Sequence, residues 1–258
     1  MRIVRESENR YVAYDDNNRE AGFSTVTLRE LPRIFPDRPV QIEISVQSTD
    51  ESRFLLYGAS VTRACALAMK NPGRCRVYAA VDPENTEDLK VLQELGFERA
   101  DGVCRMTRGL PGSIPCEDLP EGCIVIRDRL ESEAEKEKCL RRYNECFGEH
   151  KDMEWLNRLT LHQGFTRILL VSDKLCGEVL LWSVGLEGVV GVIQVPLSLR
   201  RKGFGTILME QARQYFAEIG MEKITFDAWR RSPGCWELAK KADFTPSRLI
   251  EEYPELKF

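Results

Sequence analysis

The run GVVGVIQV at 188–195, followed after PLSL by RRKGFGT at 200–206, decides the fold. The first segment is almost wholly apolar and reads as a strand covered on both faces. The second is a cationic, glycine-bearing loop. It opens a helix on which Leu208, Ala212, Tyr215 and Ile219 are spaced four, three and four apart, with Gly220 placed to end it. A diphosphate needs convergent N–H donors, positive charge and main chain free of bulky Cβ atoms. Gly203 and Gly205 allow close approach, and the free N–H groups of the helix's first turn supply donors. Arg200, Arg201 and Lys202 add charge, and the helix dipole adds roughly half a positive charge at the same place. The competing reading is a surface loop that happens to be basic. The strand before it, the helix after it and the lack of a comparable basic cluster elsewhere favour a phosphate site. The loop matches neither G-x-x-x-x-G-K-[ST] nor G-x-G-x-x-G, which sets aside a P-loop and a dinucleotide fold.

Outward from this run the pattern is regular. Cys123–Asp128 is a short β-branched strand. Ser132 is expected to cap a helix, with Glu135 completing a capping box, and Cys139, Leu140, Tyr143, Cys146 and Phe147 recur at helical spacing. A second helix runs from about Asp152 to His162, followed by strands at Thr166–Ser172 and Gly177–Ser183. After the helix that follows the basic loop come a strand at Lys223–Ala228, a helix at Ser232–Lys241 and a strand at Thr245–Ile250. The order β-α-α-β-β-β-α-β-α-β defines a mixed, mostly antiparallel α/β sheet flanked by helices.

The first half echoes the later part of this order. A hairpin spans Tyr11–Tyr14 and Gly22–Thr27, and Val40–Val46 is a half-buried strand. A helix at Ser60–Met69, a strand at Cys75–Val81, a helix at Glu87–Leu95 and a strand at Arg99–Thr107 complete it. LPGSIPCEDLPEG at 110–122 has no hydrophobic period and reads as a linker. The expected division is a unit at 1–110, a linker at 111–122 and a second unit at 123–258.

Composition removes several function classes. With 37 Lys+Arg against 41 Asp+Glu the net charge is -4, so no global basic field recommends nucleic acid as partner. No apolar run is long enough to cross a bilayer, and MRIVRESENR lacks the apolar core of a secretory signal, so a cytoplasmic protein without membrane association is expected. The 9 cysteines form no C-x-x-C pair, and neither His150 nor His162 accompanies a cysteine cluster. Reduced thiols and no metal site are expected.

Val195 followed by Arg200-x-x-Gly203-x-Gly205 resembles the acetyl-CoA signature of the GNAT superfamily, and the order from Cys123 to Ile250 is similar to that fold. Val77–Thr107, with Asn85 and Leu95-Gly96-Phe97, resembles the family's later part, so the whole chain resembles a tandem GNAT protein. The resemblance implies direct acyl transfer from acetyl-CoA, without a metal, to an amine of a small molecule or peptide. It implies that Ile193, Gln194 and Val195 line the pantetheine arm, and that Arg201 through Thr206, including Lys202, Gly203, Phe204 and Gly205, hold the diphosphate by their amides beside Arg200. A main-chain N–H of the fourth strand would polarise the thioester carbonyl.

The chain departs from the family in four places. The Tyr that many members carry on the last helix is Ala239 here and Leu92 in the first half. The glycine of L-G-F is Asp243 in the second half. Pro196 comes one residue earlier than the family's proline. Counted from Val46, the loop positions of the first half are Glu51, Phe54 and Leu56, so that half is expected to bind no CoA. Glu187, opening the fourth strand, is a candidate base and Tyr253 a candidate acid. Cys235 is a further candidate acid, and Trp229 and Trp236 are candidate cleft walls. The competing function is a non-catalytic CoA-binding regulatory protein. A monomer or homodimer is expected.

Overall fold

The computed structural model describes residues 1–112, 114 and 119–257, so 113 and 115–118 of the expected linker lie outside the described residues. The chain forms two compact units, Met1–Val103 with Leu249–Phe258, and Cys104–Arg248. This division differs from the expected one at 111–122. The reason is that two strands change unit along their length: β6 (Phe97–Gly109) passes from the first to the second, and β12 (Thr245–Leu256) from the second to the first. Hydrophobic period locates strands but not the unit to which each half of them belongs.

In the first unit β1 (Arg2–Ser7), β2 (Arg10–Tyr14), β3 (Glu20–Glu30) and β4 (Val40–Ser48) pair antiparallel in sequence order. Helix α1 (Asp50–Ala68) then crosses to β5 (Cys75–Ala79), which pairs parallel to β4 from Val40↔Cys75 to Ile44↔Ala79. Helix α2 (Thr86–Glu94) leads into β6, and the end of β12 pairs antiparallel to β5 at Glu255↔Tyr78. Strand β1 was not anticipated, because its residues are mostly polar and exposed.

Helix α1 starts ten residues before the expected Ser60. Its buried stripe includes Ser52 and Ser60 beside Leu56, Tyr57, Ala64 and Leu67, so an apolar count sees only its second half. The two serines are satisfied across the interface, Ser60 donating to Ser24 at 2.7 Å and Ser52 to the Ala21 carbonyl at 2.9 Å.

Ile42, Ile44, Val77, Ala79, Leu92 and Phe97 form this unit's core. On the opposite face of β4 Gln47 is exposed and Glu43 and Ser45 are half-buried, as alternation implies, but the start of that face is closed. Gln41 is buried there beside its strand partner Arg76, which is 1% exposed and ion-paired to Asp101 at 3.0 Å and Glu255 at 3.1 Å. Paired charges take the place of water on that face.

The second unit holds β7 (Ile124–Asp128), α3 (Glu133–Phe147), α4 (Met153–Thr160), β8 (Thr166–Val171), β9 (Leu175–Val184) and β10 (Glu187–Gln194). The short turn Leu197–Leu199, α5 (Phe204–Glu218), β11 (Lys223–Trp229) and α6 (Pro233–Lys241) follow. Strands β7 to β10 are antiparallel neighbours, and α5 carries the chain to β11, parallel to β10. The crossover β10-α5-β11 thus repeats β4-α1-β5.

Leu130, Cys139, Leu156, Phe165 and Leu180 pack α3 and α4 on one face of the sheet, while Leu208, Met209, Ala212 and Phe216 of α5 are buried on the other. Ser132 is the N-cap residue of α3, but its hydroxyl makes no capping bond. Glu135 pairs instead with Lys138 at 2.8 Å and Arg167 at 3.5 Å, so the expected capping box does not form. Asp152 caps α4, accepting from the Trp155 N–H at 2.9 Å. Among the described residues no helix is long and apolar enough to cross a membrane.

Candidate functional site

Strands β10 and β11 pair only over Glu187↔Lys223, Gly188↔Ile224 and Val189↔Thr225, whereas β10 stays paired to β9 as far as Gln194↔Glu178. The two parallel strands therefore part after Val189, and β10 keeps an unpaired edge of about 17 Å from Val190 to Val195, at roughly 3.3 Å per residue. A bulge between Val190 and Val192 falls at the start of this edge. Gly191 at the bulge has no room for a side chain, since a Cβ there would overlap the six-membered ring of Trp182. Outside that ring His162 stacks on Trp182, centroids 4.7 Å apart and planes at 17°. The loop carrying His162 is fixed because Ser183 donates to the Gln163 carbonyl through both its N–H (2.8 Å) and its hydroxyl (3.1 Å).

Beyond the open edge lies the cationic loop. Arg201 has φ 65° and Gly203 φ 89°, and Gly203 is the N-cap residue of α5 with no side chain to cap it. Arg201 occupies a left-handed conformation that is uncommon for a residue with a side chain. The Arg200 N–H donates to the Leu197 carbonyl and those of Thr206 and Ile207 to the Gly203 carbonyl, but none of the N–H groups from Arg201 to Gly205 finds an acceptor among the described residues. Successive unpaired amides in such a turn, together with a helix N-terminus, form an anion-binding concavity. Arg201, Lys202 and Gly203 are exposed there.

Arg200 behaves differently from its neighbours. Its Nε donates to the Val195 carbonyl at 3.2 Å and its Nη2 to the Cys146 carbonyl at 2.7 Å. The guanidinium thus ties the end of α3 to the end of β10 and holds the loop in shape, instead of adding charge at its surface as expected. Gln194 also turns inward: it is 2% exposed and its Nε2 lies 3.6 Å from the Cys139 Sγ. Ile193 and Val195 remain half-exposed at the end of β10, and Phe204, Gly205 and Thr206 form the half-buried first turn of α5.

No family model matches the sequence, and no curated protein matches it. Solved structures do. A GCN5-related N-acetyltransferase from Sphaerobacter thermophilus superposes with a TM-score of 0.56 at 14% identity, over 98% of this chain and 81% of that one. The same fold recurs in a tandem GNAT protein from the clavulanic acid biosynthesis pathway (TM-score 0.50, 14% identity, 95% and 82% covered). It also recurs in a GCN5-related N-acetyltransferase from Kribbella flavida (TM-score 0.51, 10% identity, 96% and 60% covered). The chain has the GNAT fold, in two tandem units.

Within this GNAT fold the residues considered for proton transfer are occupied otherwise. Glu187 accepts from the Thr225 hydroxyl at 2.6 Å and pairs with Lys223 at 2.8 Å. Burial pushes its carboxyl up, but these two partners outweigh it and hold the group below the usual carboxylate range. It sits at the closed end of the β10–β11 pair, about 13 Å along the strand from Gly191.

Tyr253 lies in the first unit, 8% exposed and edge-on to Tyr78. Its hydroxyl donates to Glu251 at 2.5 Å, and burial, with Glu251 next, raises it far above the ordinary phenol range. Burial pushes the Cys235 thiol up to about 11, so passing its proton to a thiolate of ordinary basicity near 8.5 is uphill. Trp229 and Trp236 are half-buried at the two sides of the β11–α6 turn, where the Trp229 and Ser232 carbonyls accept from the Ser232 and Trp236 N–H groups. Ala239 is fully buried on α6.

The first unit ends its β4 quite differently. Only Thr49 separates β4 from α1, its N–H donates to the Ala21 carbonyl, and no cationic loop intervenes. Glu51 and Phe54 lie exposed in the first turns of α1, and Leu56 is fully buried in the core. Sequence reading located the loop of the second unit but missed Trp182, Gly191 and His162. An isolated glycine inside an apolar strand was the available signal for the bulge.

Proposed function

We propose that this protein is an acyltransferase that takes an acetyl group from acetyl-CoA and delivers it to an amine of a small molecule or peptide. The observation that carries the reading is the run of unpaired amides from Arg201 to Gly205 at the end of an open strand edge. A diphosphate satisfies those donors, and a pantetheine arm, itself an amide chain, pairs with the edge of β10 that β11 leaves free. The loop and the parted strands fit one elongated, amide-bearing, diphosphate-bearing molecule. In the reaction the amine nitrogen attacks the thioester carbonyl, the new C–N bond forms and the C–S bond breaks. The amine's proton leaves to solvent and the thiolate is protonated. A main-chain N–H at the bulge of β10 would stabilise the oxyanion. The first unit, on this reading, binds no CoA and serves the fold.

Titration calorimetry with CoA and acetyl-CoA tests the binding half: micromolar affinity is expected, and heat indistinguishable from dilution would remove the reading. A mass-spectrometric screen of amines with acetyl-CoA tests the transfer half. One observation favours a second reading, a CoA-binding regulatory protein without catalysis. Ala239 is buried where many family members carry a Tyr, and Glu187, Tyr253 and Cys235 are all engaged elsewhere or too weakly acidic. Tight CoA binding without acetylated product from any amine class would select it.

A further inference from the structure

The open edge of β10 begins at a place closed behind and on one face, while on the other face Val189 is half-buried and Gly191 exposed. Behind it lie the last strand pair, Val189↔Thr225, and the Glu187–Thr225 hydrogen bond. On the α5 face a Cβ at Gly188 would overlap the Phe216 ring, and Val190 is 4% exposed, so that face is filled. The one direction left for a group entering along the edge is the opposite face, where alternation puts Val189 and, at the bulge, Gly191. That direction ends on Trp182, whose ring lies against the Gly191 main chain. His162 stacks on the face of the same ring, and Ser183 fixes the loop that holds His162. A large aromatic ring set against main chain and stacked on an imidazole is a rigid wall.

We propose that Trp182, set against Gly191 and stacked on His162, is the end-stop of the acyl pocket and restricts the donor to acetyl-CoA over acyl-CoAs of longer chain. This rests on the acyl-CoA reading above and adds a specificity that the reading leaves open. A chain longer than acetyl meets the indole, and a misfit of even one methylene in a closed apolar pocket costs about tenfold or more. Removing the ring opens the space to the outer face. Removing His162 leaves the ring in place but free to tilt.

Calorimetric affinities for CoA, acetyl-CoA, butanoyl-CoA and hexanoyl-CoA, measured on the full chain, test this without knowledge of the acceptor. The wild-type protein should bind hexanoyl-CoA at least about tenfold more weakly than acetyl-CoA. Trp182→Ala should bring the two within about threefold, chiefly by gaining affinity for the longer chain, and His162→Ala should recover part of that gain, on the order of threefold. Trp182→Leu, a milder truncation, serves if the alanine variant does not fold, with butanoyl-CoA gaining most. Wild-type affinities that do not fall with chain length would overturn the proposal, as would a Trp182 variant that weakens all four ligands equally. In both cases CoA binding survives, so the acyl-CoA reading stands. Absence of binding by CoA itself would overturn that reading and this one together.

Discussion

Each unit of this protein ends an antiparallel strand, crosses by a helix and returns on a parallel strand, yet the two helix starts are built for opposite purposes. At the head of α1 the single connecting residue Thr49 donates to Ala21, Ser52 donates from its hydroxyl to the same carbonyl, and its N–H is taken by Thr49. Two of the donors there, the Thr49 and Ser52 N–H groups, are thus taken up within the unit, and Glu51 adds negative charge at the helix N-terminus, where the dipole already favours it. At the head of α5 a loop with two left-handed residues intervenes, and its N–H groups from Arg201 to Gly205 have no acceptor among the described residues. The strands differ in the same sense: β4 and β5 pair over five residues each, β10 and β11 over three. The crossover itself is therefore common to both units, and what sets the second apart is the extra loop between strand and helix and the early parting of the parallel pair, the two features on which the proposed CoA site rests.

The comparison is broken most severely by changing which helix start can receive an anion. Gly203→Asp places a carboxylate at a position with φ 89°, where an L-residue also costs about 1–2 kcal/mol. It should weaken CoA binding at least about 100-fold, equivalent to ~2.8 kcal/mol at 1.4 kcal/mol per decade. Glu51→Lys, which gives the first helix start the opposite charge, should leave CoA affinity within error. Calorimetry on both variants checks this, and CoA binding lost with the second instead of the first would reverse the roles of the units.

A smaller effect separates shape from charge in the loop. Arg200→Ala removes two charge-assisted hydrogen bonds to the Val195 and Cys146 carbonyls. A loss of about 1.5–3 kcal/mol in denaturant unfolding is expected, with CoA affinity down about tenfold as the loop loosens. Arg200→Lys keeps the charge but not the fork and should resemble the alanine variant. If it binds CoA as the wild type does, Arg200 acts through its charge and the strut is incidental.

The smallest effect concerns a position where the units agree in conformation but not in residue. Gly96 after α2 has φ 89° and Asp243 after α6 has φ 53°, each followed by a phenylalanine. Asp243→Gly should stabilise the protein by about 0.5–1 kcal/mol, reduced by whatever Arg108 contributes at 3.6 Å. Gly96→Asp should destabilise it by a similar amount. Thermal unfolding of the pair measures the difference directly.

What the sequence made legible follows from the range of each signal. Local signals read correctly: the apolar run of β10, the loop between it and α5, the period of α5, and the match of Ala242-Asp243-Phe244 to Leu95-Gly96-Phe97 in place. Signals that depend on partners did not. Helix α1 lost its first half because Ser52 and Ser60 are core residues once Ala21 and Ser24 accept from them. The unit boundary was misplaced because β6 and β12 each serve two units, and no period records that. Arg200 read as a surface charge because its acceptors, the carbonyls of Val195 and Cys146, come from elements distant in sequence or turned by the loop. Trp182 was invisible for the same reason, since its partner is a main-chain bulge.

Hydrogen–deuterium exchange of the full chain, with and without saturating CoA, tests the central claim most directly. The amides of Arg201 to Gly205, unpaired in the free protein, should gain strong protection when CoA binds, while the residues joining β4 to α1 at 48–52 exchange as before. Unchanged exchange at 201–205 under conditions where CoA is demonstrably bound would place the diphosphate elsewhere and contradict the account.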